Sequence, residues 1–351
     1  MLGGSWALCA VRLSAVSRTV WDVGTPPTAP AHADAAPAVG DDAAAPAPRA
    51  PGLSPSRAAD FMTCPLLYRF RVLDRLPEPP SAVATRGTVV HAVLERLFDL
   101  DPAERTPERA AGMVADEWAR LLEAAPEVAD LFPDEPDEPD EPAGREALDG
   151  PERPALAAWL DSARALTAAY FALEDPTRLE PRERELYVET TLESGLLLRG
   201  YVDRLDVAPS GDMRVVDYKT GRAPREHFEQ KAVFQLRFYA LVLWRLHGRV
   251  PRVLQLLYLG SGEVLRYEPD EADLRATERK LEALWAAIRR ATETGDWRAS
   301  PGRVCEWCHH HALCPAWGGT PPPLPAEPGR DPSPDVESER ISPHSPVDDV
   351  T

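Results

Sequence analysis

The sequence predicts an α/β fold: a mixed central sheet flanked by helices, with a helical region before it and a small Cys knot after it. Three observations carry this. Residues 53–173 read mainly as successive helices. Residues 184–219 change to alternating segments rich in β-branched and aromatic residues, the period-2 signature of strands. A long amphipathic helix then precedes one more apolar strand, a succession that suits an α/β domain with a mixed sheet.

Each element has its own signal. Ser54 followed by Pro55 marks a helix start, with Ser54 as N-cap, and Ala58–Val72 reads as one helix. A second helix, Gly87–Leu97, presents Val89, Val90, Val93, Leu94 and Leu97 on one face. Residues 107–125 and 153–173 continue the helical period. Strands are expected near 184–193 and 196–207, turning at Ser194–Gly195. A third, "MRVVDYKT", starts at Met213 after a Ser210–Gly211 turn. Residues 226–247 form the amphipathic helix, and "RVLQLLYL" from Arg252 is apolar enough to be a central strand. A helix over 270–294 leads into the Cys-rich segment.

The 351 residues carry a formal net charge of −18, which at first sight argues against a nucleic-acid partner. The charge is uneven, however. Residues 127–152 hold 11 acids and one Arg, and the stretch from 319 holds seven acids and two Arg. Outside these and residues 1–50 the chain is close to neutral, which leaves room for a local basic groove. Three regions follow: an Ala/Pro-rich disordered N-terminus over 1–52, one folded domain over 53–318, and a Pro-rich acidic disordered tail over 319–351. The acidic, Pro-broken stretch 127–152 reads as a flexible insertion. No apolar run reaches the length of about 18 residues that a membrane span needs. Arg12 and Arg18 interrupt the mildly apolar start, so a secretory signal is not expected and the reading is cytoplasmic, with no membrane partner.

Two carboxylates stand out. Asp203 lies in "GYVDRLD" and Asp217 in "DYKTG", each inside an otherwise apolar strand. Residues two apart in a strand share a face, so Asp217 and Lys219 project together while Tyr218 faces the core. If the two strands form a hairpin, Asp203 comes beside Asp217. Converging carboxylates are costly unless a cation sits between them, and oxygen ligands suit Mg²⁺ or Mn²⁺. A Lys on the same face can orient a water, which completes the equipment for metal-assisted phosphodiester hydrolysis. The bland alternative is a surface ion pair of little energetic value. Gly200 and Gly221 flank the pair, as close approach of a backbone or ligand would require. Asp206 reads as a strand-end surface charge. His91, with Glu95 one turn later, is either a packed helix residue or a further ligand. Gln235 and Tyr239 are either a polar stripe of their helix or a face that meets substrate or orients Lys219.

Cys305, Cys308 and Cys314 lie within ten residues, and Cys64 lies far upstream. This spacing suits a soft-metal site in a reducing compartment. It does not choose between Zn²⁺, with His309, His310 or His311 as further donors, and an iron–sulfur cluster. Cys9 has no assigned role.

Taken in order, "SPSRAADFMTCPLLYRF" from Ser54, "RGTVVHAVLE" from Arg86, "GYVDRLD" from Gly200, "VVDYKTG" from Val215, "QLRFYAL" from Gln235 and "CEWCHHHALCP" from Cys305 resemble the RecB-like exonucleases of the PD-(D/E)XK nuclease superfamily, in their iron–sulfur-containing form. The resemblance covers residues 53–318 and leaves the acidic insertion unmatched. It implies a restriction-endonuclease-like core and Mg²⁺- or Mn²⁺-dependent hydrolysis of DNA, with exonuclease action on single-stranded or frayed ends in repair or recombination. It implies that His91, Asp203, Asp217 and the carbonyl of Tyr218 bind the metal, and that Lys219 positions the attacking water. Gln235 and Tyr239 fall on the family's post-strand helix motif. Cys64, Cys305, Cys308 and Cys314 would hold a structural [4Fe–4S] cluster. No GxxxxGK[ST] loop is present, so a helicase or other repair protein on another chain would supply unwinding. The rival readings are a non-catalytic DNA-binding module and a zinc-stabilised interaction scaffold on the same fold.

Overall fold

The computed structural model describes residues 52–133, 154–224 and 229–325. Cys9 and most of the acidic stretch, from residue 134 to 152, lie outside them.

The chain opens with a two-residue strand, β1 (Gly52–Leu53), and helix α1 (Pro55–Thr63). Ser54 caps α1 as expected, its side chain accepting from the Arg57 N–H at 3.3 Å, a cap typically worth about 1 kcal/mol. The single helix expected over Ala58–Val72 is instead broken at Cys64. That residue is extended (φ −158°, ψ 112°), and a short helix α2 (Pro65–Tyr68) and a π turn (Arg69–Leu73) follow it. Pro65 is the cause. A proline disfavours helical backbone in the residue before it and has no N–H to continue the ladder. Helices α3 (Ala82–Leu97), α4 (Pro107–Ala124) and α5 (Pro154–Leu173) come next, α3 starting five residues before the expected Gly87.

Among the described residues there is one six-stranded mixed sheet. Strands β2 (Glu183–Thr191), β3 (Leu197–Val207) and β4 (Met213–Lys219) are antiparallel neighbours. Helix α6 (Glu229–His247) crosses to β5 (Val253–Tyr258), which pairs parallel with β4. A strand not expected from the sequence, β6 (Glu263–Tyr267), pairs antiparallel with β5 and closes that edge. Helix α7 (Glu271–Thr294) leads to the Cys-bearing 3₁₀ turns.

The alternation of β4 and β5 divides two cores. Val215, Leu254 and Leu256 pack with Phe238 and Leu241 of α6 and Leu281 of α7. Val216 and Leu257 pack with Val89, Val93 and Leu97 of α3, Trp118 of α4 and Trp159 of α5. The sheet is therefore covered on both faces, as its central parallel pair requires. Two expected boundaries shift. Val128 and Phe132 are buried in the second core, so the start of the acidic stretch is structural and not a linker. At the other end Leu324 packs on the first core and Arg69 donates to the Pro322 carbonyl, so the described fold runs past residue 318. Among the described residues no helix is long and apolar enough to cross a membrane.

Candidate active site

The β3–β4 ladder ends at the pair Arg204–Val216. One step further, Asp203 and Asp217 face each other where the two strands part, β3 continuing beside β1 and β4 beside β5. The hairpin expected from the sequence is what brings them together. The Oδ2 of Asp203 accepts from the backbone N–H of Tyr218 at 2.7 Å. Burial first, and the charge of Asp217 second, push the Asp203 carboxyl up to about 6.

Asp217 is held from two sides. Gln235 on α6 donates to its Oδ1 at 2.8 Å. Lys219 Nζ lies 2.8 Å from its Oδ2, a buried ion pair. Tyr239, one turn beyond Gln235, is buried beneath the pair. Burial chiefly, with the charges of Asp217 and Asp203, raises its hydroxyl pKa. Its ring occupies the space over Gly200, where a Cβ would lie 2.9 Å from Tyr239 Cε1. The close neighbour at Gly200 is thus a side chain, not the backbone or ligand expected.

His91 reaches the site from α3. Its Nε2 lies 2.9 Å from the Tyr218 carbonyl oxygen and its Nδ1 3.5 Å from Asp203 Oδ2. A carbonyl only accepts, so Nε2 carries the proton of that bond. A lone pair on Nδ1 against a carboxylate is unfavourable unless a proton or a cation lies between them. The structure adds Glu185 of β2, which the sequence did not single out. A carboxylate oxygen of Glu185, a ring nitrogen of His91 and an oxygen of Asp203 all lie within 4.8 Å of one another. Asp217 is not part of that compact set, so Asp203 stands between two groups of donors. This assembly of carboxylate oxygens, a backbone carbonyl and one imidazole fits a hard divalent cation.

Behind the site, Arg204 and Arg214 form a buried network with acids. Arg204 donates to the hydroxyls of Tyr170 (3.1 Å) and Tyr218 (2.8 Å) and pairs with Glu174 (2.7 Å) and Asp206 (3.2 Å). Arg214 pairs with Glu174 at 2.9 Å and bonds Asp206 at 2.8 Å. Asp206 is therefore buried, not the surface charge expected. The network clamps the Tyr218 ring and so fixes the backbone that carries Asp217 and Lys219. Removing one partner would leave a buried charge uncompensated, at a cost of about 3–5 kcal/mol.

The four thiols Cys64, Cys305, Cys308 and Cys314 line one cavity with Leu66, Phe70 and Trp317. None of the four forms a disulfide. The backbone N–H of Ser300 donates to Cys64 Sγ and that of Gly302 to Cys305 Sγ, each at 3.4 Å. Among the described residues no three of these sulfurs lie within 4.8 Å of one another, whereas four thiolates on one zinc sit about 3.8 Å apart. Nε2 of His310 is engaged with Glu78 Oε1 at 2.8 Å, and the same carboxylate accepts from Arg71. Glu78 is thereby held down at about 2 in spite of its burial.

The family model described as the PD-(D/E)XK nuclease superfamily matches residues 52–315, which span the sheet, the acidic site and the cysteine cavity. The chain is 28% identical to the gene 69 protein of Mycobacterium phage D29 over 210 residues, covering 56% of this chain and 70% of that one. It is 22% identical to the gene 69 protein of Mycobacterium phage L5 over 287 residues, 75% of this chain and 96% of that one. A solved structure from Eubacterium rectale, described as a candidate exonuclease, is similar at 12% identity and a TM-score of 0.45, covering 74% of this chain and 87% of that one. A likeness at that score carries no weight here.

Proposed function

The chain belongs to the PD-(D/E)XK nuclease superfamily, and on that footing we propose that it is a Mg²⁺- or Mn²⁺-dependent deoxyribonuclease of the RecB-like type, acting as an exonuclease on single-stranded or frayed DNA ends in repair or recombination. The observation that carries this reading is the meeting of Asp203, Asp217 and Lys219 at the parting of β3 and β4.

In this reading His91, Asp203, Asp217 and the carbonyl of Tyr218 would hold the cation. Bound there, it supplies Lewis acidity toward a phosphoryl oxygen and stabilises charge on the leaving oxygen. Lys219 positions the attacking water, its ammonium held beside Asp217. Gln235 fixes the carboxylate of Asp217 by occupying its other oxygen. Tyr239 packs under both carboxylates and keeps bulk water from that side. The water oxygen bonds to phosphorus as the P–O bond to the leaving oxygen breaks; one water proton ends on that leaving oxygen and the other stays on the phosphate or passes to solvent, giving a phosphomonoester and a free hydroxyl.

The cysteine cavity is a separate centre in the same proposal. Cys64, Cys305, Cys308 and Cys314 would hold a [4Fe–4S] cluster that ties the N-terminal helices to the end of the chain. Four thiols lining one cavity, two of them accepting backbone N–H bonds, suit a soft-metal centre, and the family resemblance is what favours a cluster over zinc. A cytoplasmic setting would keep such metal-binding thiols reduced. DNA is the partner, and strand separation would come from a helicase on another chain.

A time course on 5′- and 3′-end-labelled single- and double-stranded DNA, with Mg²⁺, with Mn²⁺ and with EDTA, tests the proposal. Metal-dependent loss of label, fastest on single strands, is the expected result. Intact DNA under every metal condition would overturn it.

A further inference from the structure

We propose that Glu185 is a ligand of the divalent cation, holding it from β2 on the far side of Asp203 from Asp217. The proposal rests on the metal-site reading above and adds a residue to it.

The strand register is the first ground. β2 and β3 pair at Arg184–Arg204 and again at Leu186–Val202, in the same register. The rung between them, Glu185 opposite Asp203, is missing. Directly opposed like charges are destabilising in a sheet, so nothing in strand pairing favours this arrangement.

Backbone conformation is the second. Glu185 has φ +45°, in mid-strand, where no turn calls for it. Left-handed backbone costs a residue with a Cβ about 1–2 kcal/mol, and such strain persists where the surroundings impose it, often at functional sites. The irregularity also shows on β3. Leu198 and Val202 join the core under α6, and so does Leu205, while Arg204 enters the buried network on the other face. The period-2 alternation therefore slips between Val202 and Leu205, at Asp203.

The third ground is the result of that distortion. It brings a Glu185 oxygen within 4.8 Å of both an Asp203 oxygen and a His91 nitrogen. Among the described residues this is the one group of three His, Cys, Asp or Glu side chains so close together. Two carboxylates and an imidazole from three different elements converge at a strained backbone, a donor set that suits a hard divalent cation. Asp203 then stands between Glu185 and His91 on one side and Asp217 on the other.

Mn²⁺ titration followed by electron paramagnetic resonance and by calorimetry tests this without reference to DNA. Wild type, Glu185→Gln and Glu183→Gln are compared, Glu183 being exposed on the same strand. Glu185→Gln is expected to weaken Mn²⁺ binding about tenfold or more, the scale on which groups at metal sites act, while Glu183→Gln stays within about twofold of wild type. Glu185→Gly, which accepts positive φ, should melt higher than wild type in EDTA and still bind Mn²⁺ more weakly. That pairing marks strain held for a ligand, and it keeps the test decisive should Glu185→Gln fail to fold. Glu185 variants that fold and bind Mn²⁺ like wild type would overturn the role of Glu185 alone. A wild-type protein that binds no Mn²⁺ would overturn the metal-site reading and this proposal with it.

Discussion

The acidic centre and the cysteine cavity both gather ligand atoms from separated parts of the chain, but by opposite means. In the first, adjacent strands place Glu185, Asp203 and Asp217 side by side, and a buried arginine network behind Tyr218 keeps them there. In the second, Cys64 at a helix break meets three cysteines from 3₁₀ turns near the other end of the fold. The sheet can hold its acids together at an electrostatic cost with no cation present. The turns are short 3₁₀ pieces closed by local backbone bonds, with no sheet or long helix to hold them, so a metal there would contribute folding free energy directly. If both centres hold metals as proposed, loss of the first should cost chemistry and loss of the second structure.

Cys64→Ser is the strongest way to break that contrast. In anaerobically purified protein it is expected to lower Tm on the order of 10 °C, since a lost cluster ligand removes several kcal/mol of metal-linked stability. The variant should also lose iron, measured by metal and sulfide analysis. Wild-type protein containing one zinc and no iron would replace the cluster reading with a zinc site and leave the acidic centre untouched.

A smaller effect comes from Asp203. Its carboxyl titrates near 6 in the fold against 3.8 for the free group, chiefly through burial. The folded state thus binds a proton that the unfolded chain has released. Wild type in EDTA should lose stability relative to Asp203→Asn as pH rises from about 4 to about 6. Saturating Mn²⁺, which needs the ionised carboxylate, should reduce that loss. Melting curves of both proteins across this range check the sign, and a relative stability that climbs with pH would contradict the burial argument.

The smallest effect is expected at the chain ends. Residues 1–50 are Ala/Pro-rich and residues 326–351 are acidic and Pro-rich. Deleting both should move Tm by less than about 2 °C, because segments so poor in apolar side chains have little to bury. A cut at 318 should do more damage, since it removes Leu324 and the Pro322 carbonyl that Arg69 holds.

The two centres also differed in how openly the sequence displayed them. Asp217, Tyr218 and Lys219 were legible because period-2 alternation alone assigns their faces, and the hairpin brought Asp203 alongside. Glu185 was not, because its place depends on a cross-strand register and a positive φ that no local pattern encodes. Asp206 read as a strand-end surface charge, and Arg204 and Arg214 drew no reading, since burial of an ion network shows only once α5 is packed over it. The break at Cys64 was legible in Pro65 and was overridden by the apolar period around it. The short strands β1 and β6 lack the length that makes alternation visible. Phe132 belonged to a core that an acidic neighbourhood concealed.

Asp217→Asn tests the central claim most directly. It keeps the shape of a side chain held by Gln235 and removes the charge on which metal-assisted hydrolysis depends. Cleavage of end-labelled single-stranded DNA with Mg²⁺ or Mn²⁺ should slow about a hundredfold or more, with Tm and DNA binding close to wild type, as loss of a group that stabilises transition-state charge implies. Cleavage at a rate near wild type would contradict the account.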